Sequence, residues 1–130
     1  MDPSKYVGIP YVLGGRDRSG VDCYGLIFLV YFEEFGIELP RYDGVPDDCE
    51  RAEVTNQMID GARTGGKWLP VQDPKTGDVV EFKILRVSHI GLYVEPQKIL
   101  HALGGSGVCL EGLDRPKLKR RVSGCYRLVA

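Results

Sequence analysis

No stretch of this sequence approaches the roughly 18 consecutive apolar residues that a membrane-spanning helix needs. The greasiest run, CYGLIFLVYF at 23–32, is too short. The opening residues, MDPSKYVGIPYVLGG, lack a cationic start followed by an apolar stretch, so no signal peptide is read there. The expectation is a chain made in the cytoplasm with no membrane partner, which something else must deliver if it acts outside a cell. Charge of one sign is also missing. The formal net charge of −1 offers no footing for nucleic acid or an anionic membrane surface. The one basic cluster, Arg115 to Arg121, is too short to change that and reads as a solvated strand or turn. Cysteine is sparse, with Cys23, Cys49, Cys109 and Cys125 far apart and no CxxC pair, which excludes a compact zinc site and a dense disulfide scaffold. Internal repeats and low-complexity tracts are absent as well.

What is present is ordinary globular composition. A chain of 130 residues with 43% hydrophobic and 27% charged residues can bury a proper core, and nothing marks a boundary, so 1–130 is read as one domain. The first half, to about Arg63, reads as a glycine-rich loop followed by helices. From Leu26 to Phe35 apolar residues cover nearly every side of the helical wheel, which places that helix in the interior. Asp22 stands where a side-chain oxygen caps the first turn, and Gly36 supplies the stop. Asp47 or Asp48 can open a second helix to about Ala62, with apolar spacing at Ala52, Val54, Met58 and Ile59. The 47–70 stretch is read as helix packing, with cleft cover or partner binding as the other reading. The second half reads as strands over 77–84, 87–95, 98–104, 107–113 and about 123–129, divided by turn residues. Helices first and antiparallel strands afterwards mean α+β.

Chemistry concentrates on three residues. A thiol becomes a good nucleophile as the thiolate, and a helix N-terminus favours the anion through its unpaired N–H groups and dipole. Asp22-Cys23-Tyr24-Gly25 puts Cys23 at that position, behind Gly14, Gly15 and Gly20, which let the chain turn sharply. The Cys23 backbone N–H at the helix start can face the oxyanion of a tetrahedral intermediate. A thiolate also needs a base, and the base an orienter. Only His89 and His101 are available, on consecutive expected strands. A connecting loop of three or five residues puts both on one face as diagonal neighbours, about 7 Å apart at Cβ. A loop of two or four puts them on opposite faces, and the turn EPQK leaves the choice open. A zinc site from Cys23, His89 and His101 lacks a fourth ligand of recognisable spacing, so neither metal nor cofactor is called for.

The run GIPYVLGGRDRSGVDCYGL (8–26), followed by GDVVEF (77–82), SHIGLYV (88–94) and ILHA (99–102), resembles the NlpC-type cell-wall cysteine peptidases. The match runs in order along nearly the whole chain. It implies a papain-like α+β fold, in which N-terminal helices, the nucleophile's among them, pack on a five- to six-stranded antiparallel sheet. It implies a catalytic cysteine at Cys23, a base at His89 and an orienting residue at His101. It further implies that Tyr11 lines the active site, helping with substrate or oxyanion, and that Asp22 shapes the subsite beside the nucleophile. The implied reaction is hydrolysis of a peptidoglycan stem peptide beside D-γ-glutamyl and diaminopimelate or lysine. One departure stands out: Tyr24 follows the cysteine where the cell-wall enzymes usually carry a serine that helps hold the stem peptide. An aromatic residue there resembles a branch found in bacteriophage tail proteins, as do FGIELPRY (35–42), LHALGGSGV (100–108) and GCYRL (124–128). That branch implies tail proteins as partners and a virion tail as the carrier. Two rival readings are an acyltransferase or lipid-directed amidase on the same fold, and a non-hydrolytic tail-tip module that binds the wall.

Overall fold

The computed structural model describes residues 1–41, 68–84 and 87–129. The helix expected from Asp47 or Asp48 to about Ala62 lies outside them. The long helix is α1, Cys23–Phe35, and its ends are built as the sequence predicts. The Asp22 carboxylate accepts the Gly25 N–H at 2.7 Å, and Gly36 leaves the helix at φ 66°, a left-handed conformation that glycine adopts without steric cost. Residues Cys23 through Tyr31 are all buried, so the apolar wheel is covered on every side there, whereas Phe32 and Phe35 in the last turn, expected inside, are exposed.

The N-terminal segment is stapled to both ends of α1. After a 3-10 turn at Pro3–Lys5, the Tyr6 hydroxyl and Lys5 Nζ reach Glu34 at 2.8 and 2.9 Å, near the helix's C-terminal end. At the other end, strands β1 (Arg16–Asp17) and β2 (Gly20–Val21) form a small hairpin against the start of α1. The approach there is very close. A Cβ on Gly25 would stand 1.9 Å from the Gly15 carbonyl oxygen, so the helix can seat on this loop only with glycine.

The strands β3 (Trp68–Pro70), β4 (Val79–Ile84), β5 (Val87–Val94), β6 (Lys98–Leu103), β7 (Gly107–Gly112) and β8 (Val122–Leu128) form one sheet in the order β3-β8-β4-β5-β6-β7. Every neighbouring pair is antiparallel. This is the expected α+β arrangement. Within this sheet the strand at Trp68–Pro70 is not announced by the sequence, and neither is the small β1–β2 hairpin in the stretch read as a glycine-rich loop. The basic stretch forms a single, largely exposed helical turn, Pro116–Lys119, the turn of the two expected forms.

The sheet's two faces have different cover. Val79, Ile90, Leu92, Val94, Leu100 and Ala102 pack with α1 in the larger apolar cluster. Val80, Phe82, Tyr93, Ile99 and Leu113 form a second cluster, joined by Leu118 of the basic turn. Strand alternation separates the two sets.

Candidate active site

The β5–β6 connection decides the histidine geometry. It holds three residues, 95–97, with Val94 opposite Lys98 and Leu92 opposite Leu100. His89 and His101 therefore share a face as diagonal neighbours, the first of the two arrangements left open by the turn sequence. Their rings meet: His89 Nε2 lies 3.0 Å from His101 Nδ1. Gly91 makes room, because a Cβ at that position would fall 2.9 Å from His101 Cβ and 3.0 Å from Ile99. Phe82, paired with His89 across β4 and β5, flanks both imidazoles at ring-centre distances of 6.0 and 6.3 Å.

The far side of the pair carries a carboxylate. His101 Nε2 lies 2.9 Å from Glu111 Oε1, and the Cys109 thiol donates to the same oxygen at 3.7 Å. Both come from β7, where Cys109 is the direct cross-strand partner of His101. Burial and the neighbouring carboxylate hold the Cys109 thiol above its ordinary pKa. The two imidazoles and Glu111 line a cavity of about 310 Å³, rimmed by Arg115, Lys117 and Arg121. The basic stretch, read from sequence as merely solvated, thus borders the histidines.

Cys23 is placed differently. As the first residue of α1 it is fully buried, in the cluster that α1 makes with the sheet. The imidazoles alternate along β5 and β6 with the strand residues of that cluster. The fold brings His89, His101 and Glu111 together on one face, and Cys23 opens α1. The backbone of Gly8 and Ile9 bonds Val108 at the start of β7, next to the end of β6.

The residues flanking Cys23 form a tight polar clamp. The Asp22 carboxylate accepts from Gly25 N, from Gly14 N at 2.9 Å and from Arg16 Nη1 at 3.0 Å, with both charged side chains almost wholly buried. Its oxygens thus hold the glycine loop against the helix. The Arg16 guanidinium lies 5.2 Å from the centre of the Tyr24 ring, and the Tyr24 hydroxyl donates to the Pro40 carbonyl. Tyr24 is accordingly a buried brace. Tyr11 bridges to Val21 and packs, half-buried, against the α1 cluster. Arg16 and Glu111 are the polar partners that sequence reasoning missed. The arginine sits in the glycine-rich run that drew notice only for its glycines, and the glutamate carried no signal before β6 and β7 were in register.

The NlpC/P60 family model matches residues 8–127, and the chain belongs to that family. It is 35% identical over 115 residues to a probable endopeptidase of Haemophilus influenzae, covering 86% of this chain and 62% of the relative. It is 30% identical over 128 residues to the murein DD-endopeptidase MepS/murein LD-carboxypeptidase of Escherichia coli K12, covering 98% of this chain and 60% of that protein. The chain therefore spans about three-fifths of the length of these relatives. The crystal structure of the NlpC/p60 domain of the peptidoglycan hydrolase SagA superposes with a TM-score of 0.63 at 23% identity, covering 97% of this chain and 92% of that one. The fold is the papain-like one of that family.

Proposed function

We propose that the chain is a cysteine peptidase acting on peptidoglycan stem peptides as a single catalytic domain, with Cys23 as nucleophile, His89 as base and His101 as orienter. The observation that carries this reading is the 3.0 Å contact between the imidazoles, within motifs arranged in the family's order. His89 Nε2 is engaged by His101, which leaves Nδ1 to take a proton from the sulfur. His89 takes the Cys23 proton, and the thiolate adds to the amide carbonyl carbon. The tetrahedral intermediate collapses with cleavage of the C–N bond, and the leaving amine receives the proton from His89. Water, deprotonated by the same imidazole, then cleaves the thioester and restores the thiol. Such acid–base assistance contributes roughly 10²- to 10⁴-fold. The reading requires Sγ and His89 Nδ1 to meet.

Digestion of purified cell wall tests it. Wild type releases muropeptides and Cys23→Ala releases none. Equal release by both, or none by either, contradicts the mechanism. The resemblance favours cleavage beside D-γ-glutamyl, whereas the Escherichia coli relative carries the name of a DD-endopeptidase. The masses of the released fragments separate these bonds. As a finer part of the proposal, a phage tail carries the enzyme to the wall, a reading supported by Tyr24 and the segments at 35–42, 100–108 and 124–128. It predicts peptides of this chain in purified tail fractions, and their absence there removes the tail assignment.

The complete burial of the Cys23 side chain favours a second reading, a wall-binding module without turnover. Such a module co-sediments with insoluble wall and leaves its masses unchanged, whereas release of stem-peptide fragments rejects it.

A further inference from the structure

Beyond the cysteine and two histidines, we propose that Glu111 is a positioning residue that locks the tautomers of both imidazoles and so selects the basic nitrogen of His89. The proposal rests on the catalytic reading above for its use, but its geometry stands apart from it.

Three groups lie in a row: His89 Nε2 3.0 Å from His101 Nδ1, and His101 Nε2 2.9 Å from Glu111 Oε1. The contact between two neutral rings holds one hydrogen, carried by one ring or the other. By themselves the imidazoles allow either direction, and the two directions leave opposite nitrogens of His89 basic. An ionised carboxylate only accepts, so Glu111 requires the hydrogen of His101 on Nε2. His101 Nδ1 then carries a lone pair and accepts from His89 Nε2–H. The hydrogen of His89 is thereby fixed on Nε2, and its lone pair lies on Nδ1, the nitrogen turned away from His101. Only that tautomer takes a proton from a thiol at Nδ1.

The surroundings support the assignment. The Cys109 thiol also donates to Glu111 Oε1, adding a second donor to the accepting oxygen. Among the described residues, the charged and titratable groups around the cavity are His89 and His101 from β5 and β6, Cys109 and Glu111 from β7, and Arg115, Lys117 and Arg121 from the basic turn. His101 is almost completely buried, whereas the Glu111 side chain is about one-third exposed, so the lock can be altered with little disturbance to the core.

The experiment uses ¹⁵N-histidine-labelled protein in a Cys23→Ala background, which keeps His89 from pairing with a thiolate. At a pH where both rings are neutral, the expected spectrum shows a protonated Nε2 and an unprotonated, pyridine-like Nδ1 in each ring. In Glu111→Gln the side-chain amide donates as well as accepts, so the single pattern gives way to a mixture of tautomers, and Glu111→Asp restores it in part. In the enzyme with Cys23 intact, Glu111→Gln lowers kcat roughly 10- to 100-fold with KM little changed, the size of effect typical of groups that orient a functional imidazole. A pyridine-like Nε2 on His89 with Glu111 intact, or an unchanged pattern in Glu111→Gln, overturns the proposal. A locked tautomer in a protein that cleaves no wall leaves the proposal standing and defeats the catalytic reading instead.

Discussion

Asp22 and Arg16 face each other with almost no water contact, and that sets their energetic weight. Removing one partner of a buried ion pair strands the other charge, at a cost of about 3–5 kcal/mol. Asp22→Ala also removes the cap of α1 and the anchor of the Gly14 loop. It is therefore expected to lower stability by about that amount in chemical denaturation, and a loss under about 1 kcal/mol would show that the pair is solvated. The thiols give a second residue-scale prediction. Cys109 is pushed up by burial and Glu111, and Cys125 by burial and Asp78. A raised thiol pKa means less thiolate at neutral pH, so both should react with iodoacetamide more slowly than an unperturbed cysteine, gaining rate only as pH rises well above roughly 8.5. Peptide mapping after timed labelling measures this. At this scale the sequence pointed to Cys23 and the histidines because their chemistry is rare and their neighbours distinctive. It stayed silent on Arg16 and Glu111, whose partners exist only once a tight turn closes and β6 meets β7.

At the scale of elements, one glycine and one connection bring the histidines together. The three-residue connection after β5 sets parity, and Gly91 leaves the gap into which His101 fits. Gly91→Ala places a methyl group against His101 Cβ and Ile99, an overpacking expected to cost about 1–3 kcal/mol and to push the imidazoles apart. Loss of the single-tautomer histidine signature, together with the lower stability, is the expected result, whereas an unperturbed histidine spectrum would show that the strands part without cost. Helix α1 and strands β4 to β8 were legible because their apolar patterns and turn residues agree with local propensity. Strand β3 was not, since three residues at 68–70 become a strand only by pairing with β8, which lies far along the chain. The basic stretch carries Pro116 at a helix's first turn, where proline fits, and the expected solvated turn is a helical one.

Across the whole molecule, the N-terminal segment ties to both ends of α1 through ion pairs and to β7 through backbone hydrogen bonds. Hydrogen bonds from Arg18 lower the Glu33 pKa, and those from Lys5 and Tyr6 lower that of Glu34. Carboxylates held below their unfolded values contribute stability above roughly pH 4.3, and that contribution is lost as pH falls through the folded values. Replacing both with glutamine should therefore reduce stability at pH 7 and flatten its decline toward pH 3, as read from urea midpoints at the two pH values. An equally steep acid decline in the double variant would place the acid sensitivity elsewhere. The general plan, helix on antiparallel sheet, followed from the order of patterns along the chain. Which face of the sheet carries which side chains did not, because a shift of one residue in strand register exchanges the two faces.

The partnership of Cys23 with His89 is the hinge of the functional account, and the pH dependence of alkylation at Cys23 measures it most directly. With an imidazole ionising the sulfur, the rate in wild type should rise with a midpoint well below the roughly 8.5 of an ordinary thiol, and His89→Ala should move that midpoint up toward it. The same midpoint in both proteins would mean that the base never meets the nucleophile.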